Sequence, residues 1–414
     1  MKLNLRQQLT QFAHVFQNQL FPALEQELGE LSASAKQLAA TLEMIPLARF
    51  VPSSHGWIGR PSKNRLAIAS AFVAKAVYGF ATTRQLLEAL RRDDQLRRLC
   101  GWTSARQVPH EATFSRAFQE FASMESLQFT HEALIRDTQQ GRLIGHIARD
   151  ATAIEARERF PETAERRAER LAPGKAKLKA QRKAARKQAR MALSHVPQSR
   201  RKPGPRGPHQ RYPGGKKPSV PPSDTRLARQ RSMSLPEMLQ ELPKQCDIGG
   251  KKNSQGNTDF WRGYKLHLDV ADGQIPISAV LTSASLHDSQ VAIPLALMTT
   301  QRVTYCYALM DSAYDAQHIH EQSSNLGHVP IIDPHPHASQ KLPFQPNGKP
   351  GLSPAQQQRY RERTMVERVN ARIKDEFGGR TIRVRGAAKV TTHLMFGILA
   401  LTVDQLLRIV VRRV

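Results

Sequence analysis

The spacing of the apolar residues changes near residue 140, and that change limits the architecture more than any other feature. Before it the period is helical. Leu5, Leu9, Phe12, Phe16 and Leu20 recur at intervals of three and four until Pro22 interrupts them. Ser32 to Met44 predicts a second helix. Gly59-Arg60-Pro61-Ser62 reads as a turn before a longer helix, about Asn64 to Phe80. Apolar residues nearly encircle that helix and predict its burial. Thr82 or Thr83 would cap a helix through Leu90. Pro109 to Ala122 gives another, with Phe114, Phe118 and Phe121 on one face. Residues 1–140 are therefore expected to form an all-helical domain.

Beyond residue 140 the period is that of strands. Leu143 to Ile154, Phe260 to Val270, Ile275 to Leu281, Tyr305 to Met310 and Val329 to Ile332 read as strands. Val291 to Met298 and Ala316 to Leu326 read as helices between them. A long helix is expected from Ser353 to Phe377, and an apolar one from Lys389 to Val411. The order β, β, β, α, β, α, β, α predicts a mixed α/β layer over 141–159 and 245–388, with the apolar helix of 389–414 packed on it. The longest apolar run, Leu394 to Val403, is about half of what a membrane span needs. Met1 to Leu20 lacks the long apolar run of a signal peptide.

One stretch interrupts the layer. Residues 160–244 carry 22 Lys+Arg against 6 Asp+Glu, and 12 of the 26 prolines. Such a segment cannot bury enough apolar surface to fold alone, and it reads as an inserted, largely disordered basic arm. The whole chain has a formal net charge of +27, which points to a polyanionic partner, nucleic acid before a membrane surface. Cys100, Cys246 and Cys306 lie far apart with no CxxC spacing, so neither a disulfide framework nor a cysteine zinc site is expected.

Three carboxylates stand out by position. Asp150 and Asp311 each end a strand, where side chains project from a sheet edge into a cleft, and Glu367 sits on the late helix. Hard oxygen ligands of this kind suit Mg²⁺ or Mn²⁺. At about 100° per residue, Tyr360, Arg363 and Lys374 share an arc of roughly 60° with Glu367. Met365, Val366, Val369, Ile373 and Phe377 fall on the opposite, core-facing side. Geometry alone also allows a plainer account, an exposed Arg363–Glu367 ion pair at i,i+4. Lys265, on the strand before His267, is a weaker candidate for DNA contact. His287-Asp288 reads as a cap, Asp315 as another cap, and His318, His320, His335 and His337 lack the partners of a zinc site.

Tyr360-x2-Arg363-x3-Glu367-x6-Lys374 resembles the Y-x2-R-x3-E-x6-K signature of bacterial insertion-sequence transposases of the DDE class, insertion-sequence family four. Arg149-Asp150-Ala151-Thr152, Trp261-Arg262-Gly263-Tyr264-Lys265-Leu266-His267, Ser285-Leu286-His287-Asp288 and Met310-Asp311-Ser312-Ala313-Tyr314-Asp315 are similar to stretches of that family and its family-five relatives. The helical region from Gly59 to Ser115 resembles their N-terminal domain, which implies DNA binding there. The resemblance implies a ribonuclease H-like mixed-sheet domain with Asp150, Asp311 and Glu367 as catalytic and metal-binding triad. It implies two Mg²⁺ or Mn²⁺ ions. Tyr360, Arg363 and Lys374 would hold DNA near the scissile phosphate. The implied partners are double-stranded terminal inverted repeats and target DNA, bound by a homodimer in the bacterial cytoplasm near the nucleoid, with no membrane. A catalytically inactive DNA-binding remnant or regulator and a plain metal-dependent nuclease are the alternatives.

Overall fold

The computed structural model describes residues 5–51, 63–158, 225–252, 257–334 and 351–411. All belong to one compact unit, Met1–Glu158 with Ser223–Val414. The predicted turn Gly59–Ser62, His335, His337 and most of the basic arm lie outside the described residues.

The helical start follows its caps. Ser32 accepts from Ala35 N at 3.2 Å and opens Ala33–Met44. Asn64 accepts from Ala67 N at 3.1 Å and opens Arg65–Val77. Thr82 and Gln85 form a capping box on Thr83–Arg92. Ala67 through Ala74 are all buried, as their encircling apolar pattern predicts, whereas Leu66 is exposed. Pro22 does not end the first helical stretch. A π turn, Phe16–Leu20, leads into Phe21–Leu28, and the proline sits in the first turn, where no N–H partner is needed. Glu111–Ser123 and Ser126–Gln139 complete the region.

Among the described residues six strands form one sheet: β1 Leu143–Glu155, β2 Asp247–Lys252, β3 Thr258–Ala271, β4 Ile275–Ser283, β5 Thr304–Met310 and β6 Val329–Ile332. β4, β3 and β1 are antiparallel neighbours, and β1, β5 and β6 run parallel. β2 pairs with the first half of β3, Lys252↔Thr258 to Asp247↔Gly263. It is an addition to the expected order, because Asp-Ile-Gly-Gly-Lys-Lys has no apolar alternation. Its glycines have a steric reason: a Cβ at Gly249 would lie 2.4 Å from the Trp261 ring.

Two further expectations are corrected. The end of the presumed arm is folded: Arg226–Gln230 and Leu235–Glu241 are helices. Arg226 and Arg229 pair with Glu241, and Met238 and Leu242 are buried, so charge and apolar surface are both satisfied locally. The late helix is broken. Pro354–Tyr360 and Thr364–Asp375 are separated by a 3-10 turn, Arg361–Arg363. There the Thr364 hydroxyl donates to Arg361 O at 3.1 Å and competes for a helical carbonyl.

The helix Ala387–Val411 is apolar on nearly every side and is therefore central. Over Ala387–Ile409 it is long and apolar enough to cross a membrane, but 78 % of that span's most apolar window is buried within the chain. It packs against Arg65–Val77, Glu111–Ser123, β4 and Thr364–Asp375. One buried cluster runs from Phe72 and Phe118 through Phe396 and Val366 to Leu309. The helical region and the sheet thus share a core instead of forming separate domains.

Candidate active site

Asp150 does not end its strand as expected: β1 runs on to Glu155, paired along β3, and only Asp311 follows directly on a strand end. β1 and β5 pair in parallel up to Ala148↔Leu309. Two residues beyond that pair come Asp150, still within β1, and Asp311, just past the end of β5, close enough for the charge of Asp311 to act on Asp150. Both point to one side of the sheet. Ala148, Ile154 and Leu309 join the cluster that includes Met365, Val366 and Val369, whereas Ile147, Ala308 and Met310 belong to the opposite face. Residues alternate along a strand, so Asp150 and Asp311 face the glutamate helix, Thr364–Asp375. Asn370 of that helix donates Nδ2 to Asp150 Oδ2 at 3.3 Å.

Burial raises the Asp150 pKa to about 6, against a backbone hydrogen bond at Ala151; the charge of Asp311 adds to the rise, while Arg363 and Lys251 oppose it. Asp311 is also raised, again by burial first. The Ala313 N–H, which it accepts at 3.0 Å, opposes that rise, as do Arg363 and Lys251, and Asp288 adds to it. Two partly buried carboxylates that burden one another are an oxygen donor pair suited to a divalent cation.

Glu367 lies on the helix over this pair but is engaged elsewhere. Its carboxylate accepts from the Arg363 guanidinium. Among the described residues, no three His, Cys, Asp or Glu side chains stand close enough to hold one ion. Arg363 is the hub of the arrangement. Burial works against its cation, but Tyr360, Glu367, Asp150 and Asp311 outweigh that and keep it charged. Its guanidinium lies 5.8 Å from the Tyr360 ring centre. Met365, Val366, Val369, Ile373 and Phe377 are buried, as the helical arithmetic predicts. The 3-10 turn interrupts the helix before Tyr360, whose ring still lies within reach of Arg363.

Lys374 is held below the ordinary lysine range by burial, with Arg380 and Lys251 adding repulsion. Lys265 is drawn inward. Its Nζ donates to Leu286 O at 2.8 Å and to Asp288 Oδ1 at 2.7 Å, so its ammonium is paired with an acid whose charge also acts on Asp311. His287 caps the turn Asp288–Val291, as expected. Asp315 does not cap Gln317–Asn325; it bonds His320 instead, and Asp311 caps Ser312–Tyr314.

Three participants were not singled out by sequence. Asn370 lies three residues beyond Glu367 on the same helical face, a signal that spacing could have found. Lys251 enters with β2, which has no strand signature. Arg149, next to Asp150, is buried and forks onto Asp269 at 2.8 and 2.7 Å; its third nitrogen lies 3.6 Å from the Met310 sulfur. Thr299 adds a hydroxyl to Asp269 at 2.7 Å. The pair ties β1 to β3 directly beneath the two aspartates.

A family model described as Transposase DDE domain matches residues 229–403, which include Asp311 and Glu367. A second, Transposase domain (DUF772), matches residues 25–120 of the helical region. No curated protein and no solved structure matches the chain. With one transposase domain over its helices and the other over its sheet and glutamate helix, the chain belongs to the DDE transposases of insertion sequences.

Proposed function

We propose that the chain cleaves DNA at the ends of an insertion sequence and joins the freed 3′-OH to target DNA, on a ribonuclease H-like sheet and with divalent metal. The single observation that carries this is the parallel register placing Asp150 beside Asp311 under the glutamate helix. The strand order β4-β3-β1-β5-β6, antiparallel then parallel, supports the fold reading.

Asp150 and Asp311 would hold the metal, Mg²⁺ or Mn²⁺. Bound there, two such ions supply Lewis acidity at the scissile phosphate and lower the pKa of an attacking water or hydroxyl. Glu367 would join Asp150 and Asp311 in holding the metal once Arg363 bonded a DNA phosphate in its place. That exchange keeps both charges paired, because Arg363 gains an anion as Glu367 gains a cation. Lys374 and Tyr360 position the strand from the same segment. Asn370 and the Arg149–Asp269 pair fix the carboxylate of Asp150. Lys265 sets Asp288 at the margin. The helical region and the basic arm supply most DNA affinity, and two ends cut together imply a dimer on DNA in the bacterial cytoplasm.

The test is strand cleavage on the DNA that flanks the reading frame. Asp311→Asn and Glu367→Gln should each abolish Mg²⁺-dependent cleavage while DNA binding survives. Each substitution keeps shape and removes a charged ligand. Wild-type rates in either variant would remove that residue from the triad.

A further inference from the structure

A cavity of about 470 Å³ is lined by residues of Arg65–Val77, Glu111–Ser123 and Ala387–Val411 and by the loop that follows the glutamate helix. Its base is closed: Phe72, Phe118 and Phe396 are buried and packed on one another, so they offer a ligand no ring face. What the cavity offers is charge. Lys75, Arg383, Arg385 and Lys389 all line it. Arg383 and Arg385 are exposed, whereas Lys75 and Lys389 are half-buried. Among the described residues none of the four forms an ion pair with a carboxylate. The only acid among the described lining residues is Glu111, which is exposed.

The backbone adds charge of the same sign. Three helices reach the cavity with their N-terminal, positive turns: Thr83 opens Thr83–Arg92, Glu111 opens Glu111–Ser123, and Lys389 lies in the first turn of Ala387–Val411. Two C-terminal ends reach it as well, and each is already met. Lys75 stands in the last turn of Arg65–Val77, and His393 bonds Gly378 O, just past the glutamate helix, at 3.0 Å. Burial pushes the Lys75 ammonium down to about 8, and the charge of Arg383 adds to that. Burial also keeps His393 neutral, with repulsion from Lys75 adding to the effect. A partly buried cation beside like charges lacks the counter-charge that offsets its desolvation, and an incoming anion would supply it.

We propose that this cavity holds a backbone phosphate of a bound DNA strand, with Lys75 at its inner end and Arg383 and Arg385 at its mouth. The oxygens of a phosphate are spread over a tetrahedron and can meet an ammonium and two guanidinium forks from different sides, whereas a carboxylate offers one planar pair. A lone phosphate ion would fill only part of the cavity, and the sugars on either side of a backbone phosphate would occupy the rest. The inference rests on the DNA-acting function above and adds a second place at which the strand is held. Phe377 and Gly378 line the cavity and directly follow the glutamate helix, so a phosphate there would anchor DNA at the opposite end of that helix from Glu367.

The experiment uses the full chain and two probes, a DNA duplex followed by fluorescence polarisation across a range of salt, and inorganic phosphate followed by thermal unfolding. Lys75→Gln and Arg383→Gln should each weaken duplex binding about tenfold at low salt, the scale of one charge-assisted hydrogen bond. Each should also flatten the dependence of log affinity on log salt by about 0.9, one phosphate contact. The double variant should lose less than the product of the two single losses, because both cations serve one phosphate. A loss equal to that product means two separate surface charges and overturns the shared site. Should Lys75→Gln fail to fold, Arg383→Gln, at an exposed position, carries the test by its affinity and salt slope. Duplex affinity unchanged in both single variants overturns the proposal, and if inorganic phosphate then raises the melting temperature of wild type but not of Lys75→Gln, the ligand is the free anion instead. A wild-type chain that binds no duplex overturns the DNA-acting function and this site together.

Discussion

Asp150→Asn is expected to abolish cleavage and, in the absence of metal, to stabilise the fold. The wild-type carboxylate is partly buried beside Asp311, and burial raises its pKa from the usual 3.8 to about 6. In the unfolded chain it ionises near pH 3.9. The native state therefore binds this proton more tightly than the unfolded chain does. Stability from this group is full below about pH 4, falls as pH rises toward about 6, and stays low above it. At about 1.36 kcal/mol per pH unit the full difference is about 3 kcal/mol, and local relaxation reduces it to about 1–3 kcal/mol. An amide carries no such cost and can still accept from Asn370. Urea unfolding followed by tryptophan fluorescence in EDTA would measure it. The variant should exceed wild type by about 1–3 kcal/mol near pH 8 and converge on it near pH 4. Mg²⁺ at about a hundred times its Kd should then stabilise wild type alone, by about 2.7 kcal/mol. A variant less stable than wild type near pH 8, or a difference independent of pH, would refute the argument that Asp150 is held ionised at a cost.

Other outcomes follow from single contacts. Arg363→Ala and Lys374→Ala should lower end cleavage far more than Arg372→Ala, in a strand-resolved assay. Arg372 is tied to Glu376 and Asp404, so its loss should cost about 1 kcal/mol of stability instead, and equal cleavage losses would mean that bulk charge matters more than placement. Arg149→Met should cost about 3–5 kcal/mol in urea unfolding by leaving Asp269 buried without its cation, and Arg149→Met with Asp269→Leu should recover most of it. A cost below about 1 kcal/mol would show that the pair does not organise the sheet. Deleting residues 172–222 should weaken binding to all DNA sequences alike and flatten the salt dependence by about 0.9 per lost phosphate contact. Selective loss of end preference would instead make the arm a specific reader.

The strands were legible where burial on a face imposed alternation. Val329–Ile332 matches its expected bounds, and β1 and β5 differ by a single residue at an end. β2 was not legible, because its glycines answer to the rings of Trp261 and Phe260 across the ladder, a tertiary cause that local sequence does not display. The helix break at Arg361–Arg363 was hidden for the opposite reason: every residue there tolerates a helix, and the Thr364 hydroxyl that bonds Arg361 O there has no sequence signature. Within the site, the strand-end position of Asp311 and the i,i+4 spacing of Arg363 and Glu367 were readable, whereas Asp150 lies in the middle of β1, because the strand runs on to Glu155 along β3. The inward turn of Lys265 was not, since it depends on where Asp288 lands after β4.

The Arg149–Asp269 pair joins residues 120 positions apart. At about 5–20 residues per second of synthesis, β1 leaves the ribosome some 6–24 s before the strand it must pair with. Through that interval Ile144, Ile147 and Ile154, all fully buried in the finished sheet, have no partner strand. The segment is then an open, apolar, β-branched edge, the kind that joins other chains. The late arrival of β3 makes the first aspartate strand the chain's main aggregation hazard during synthesis, and conditions that slow translation should lower the soluble yield through this strand before any other.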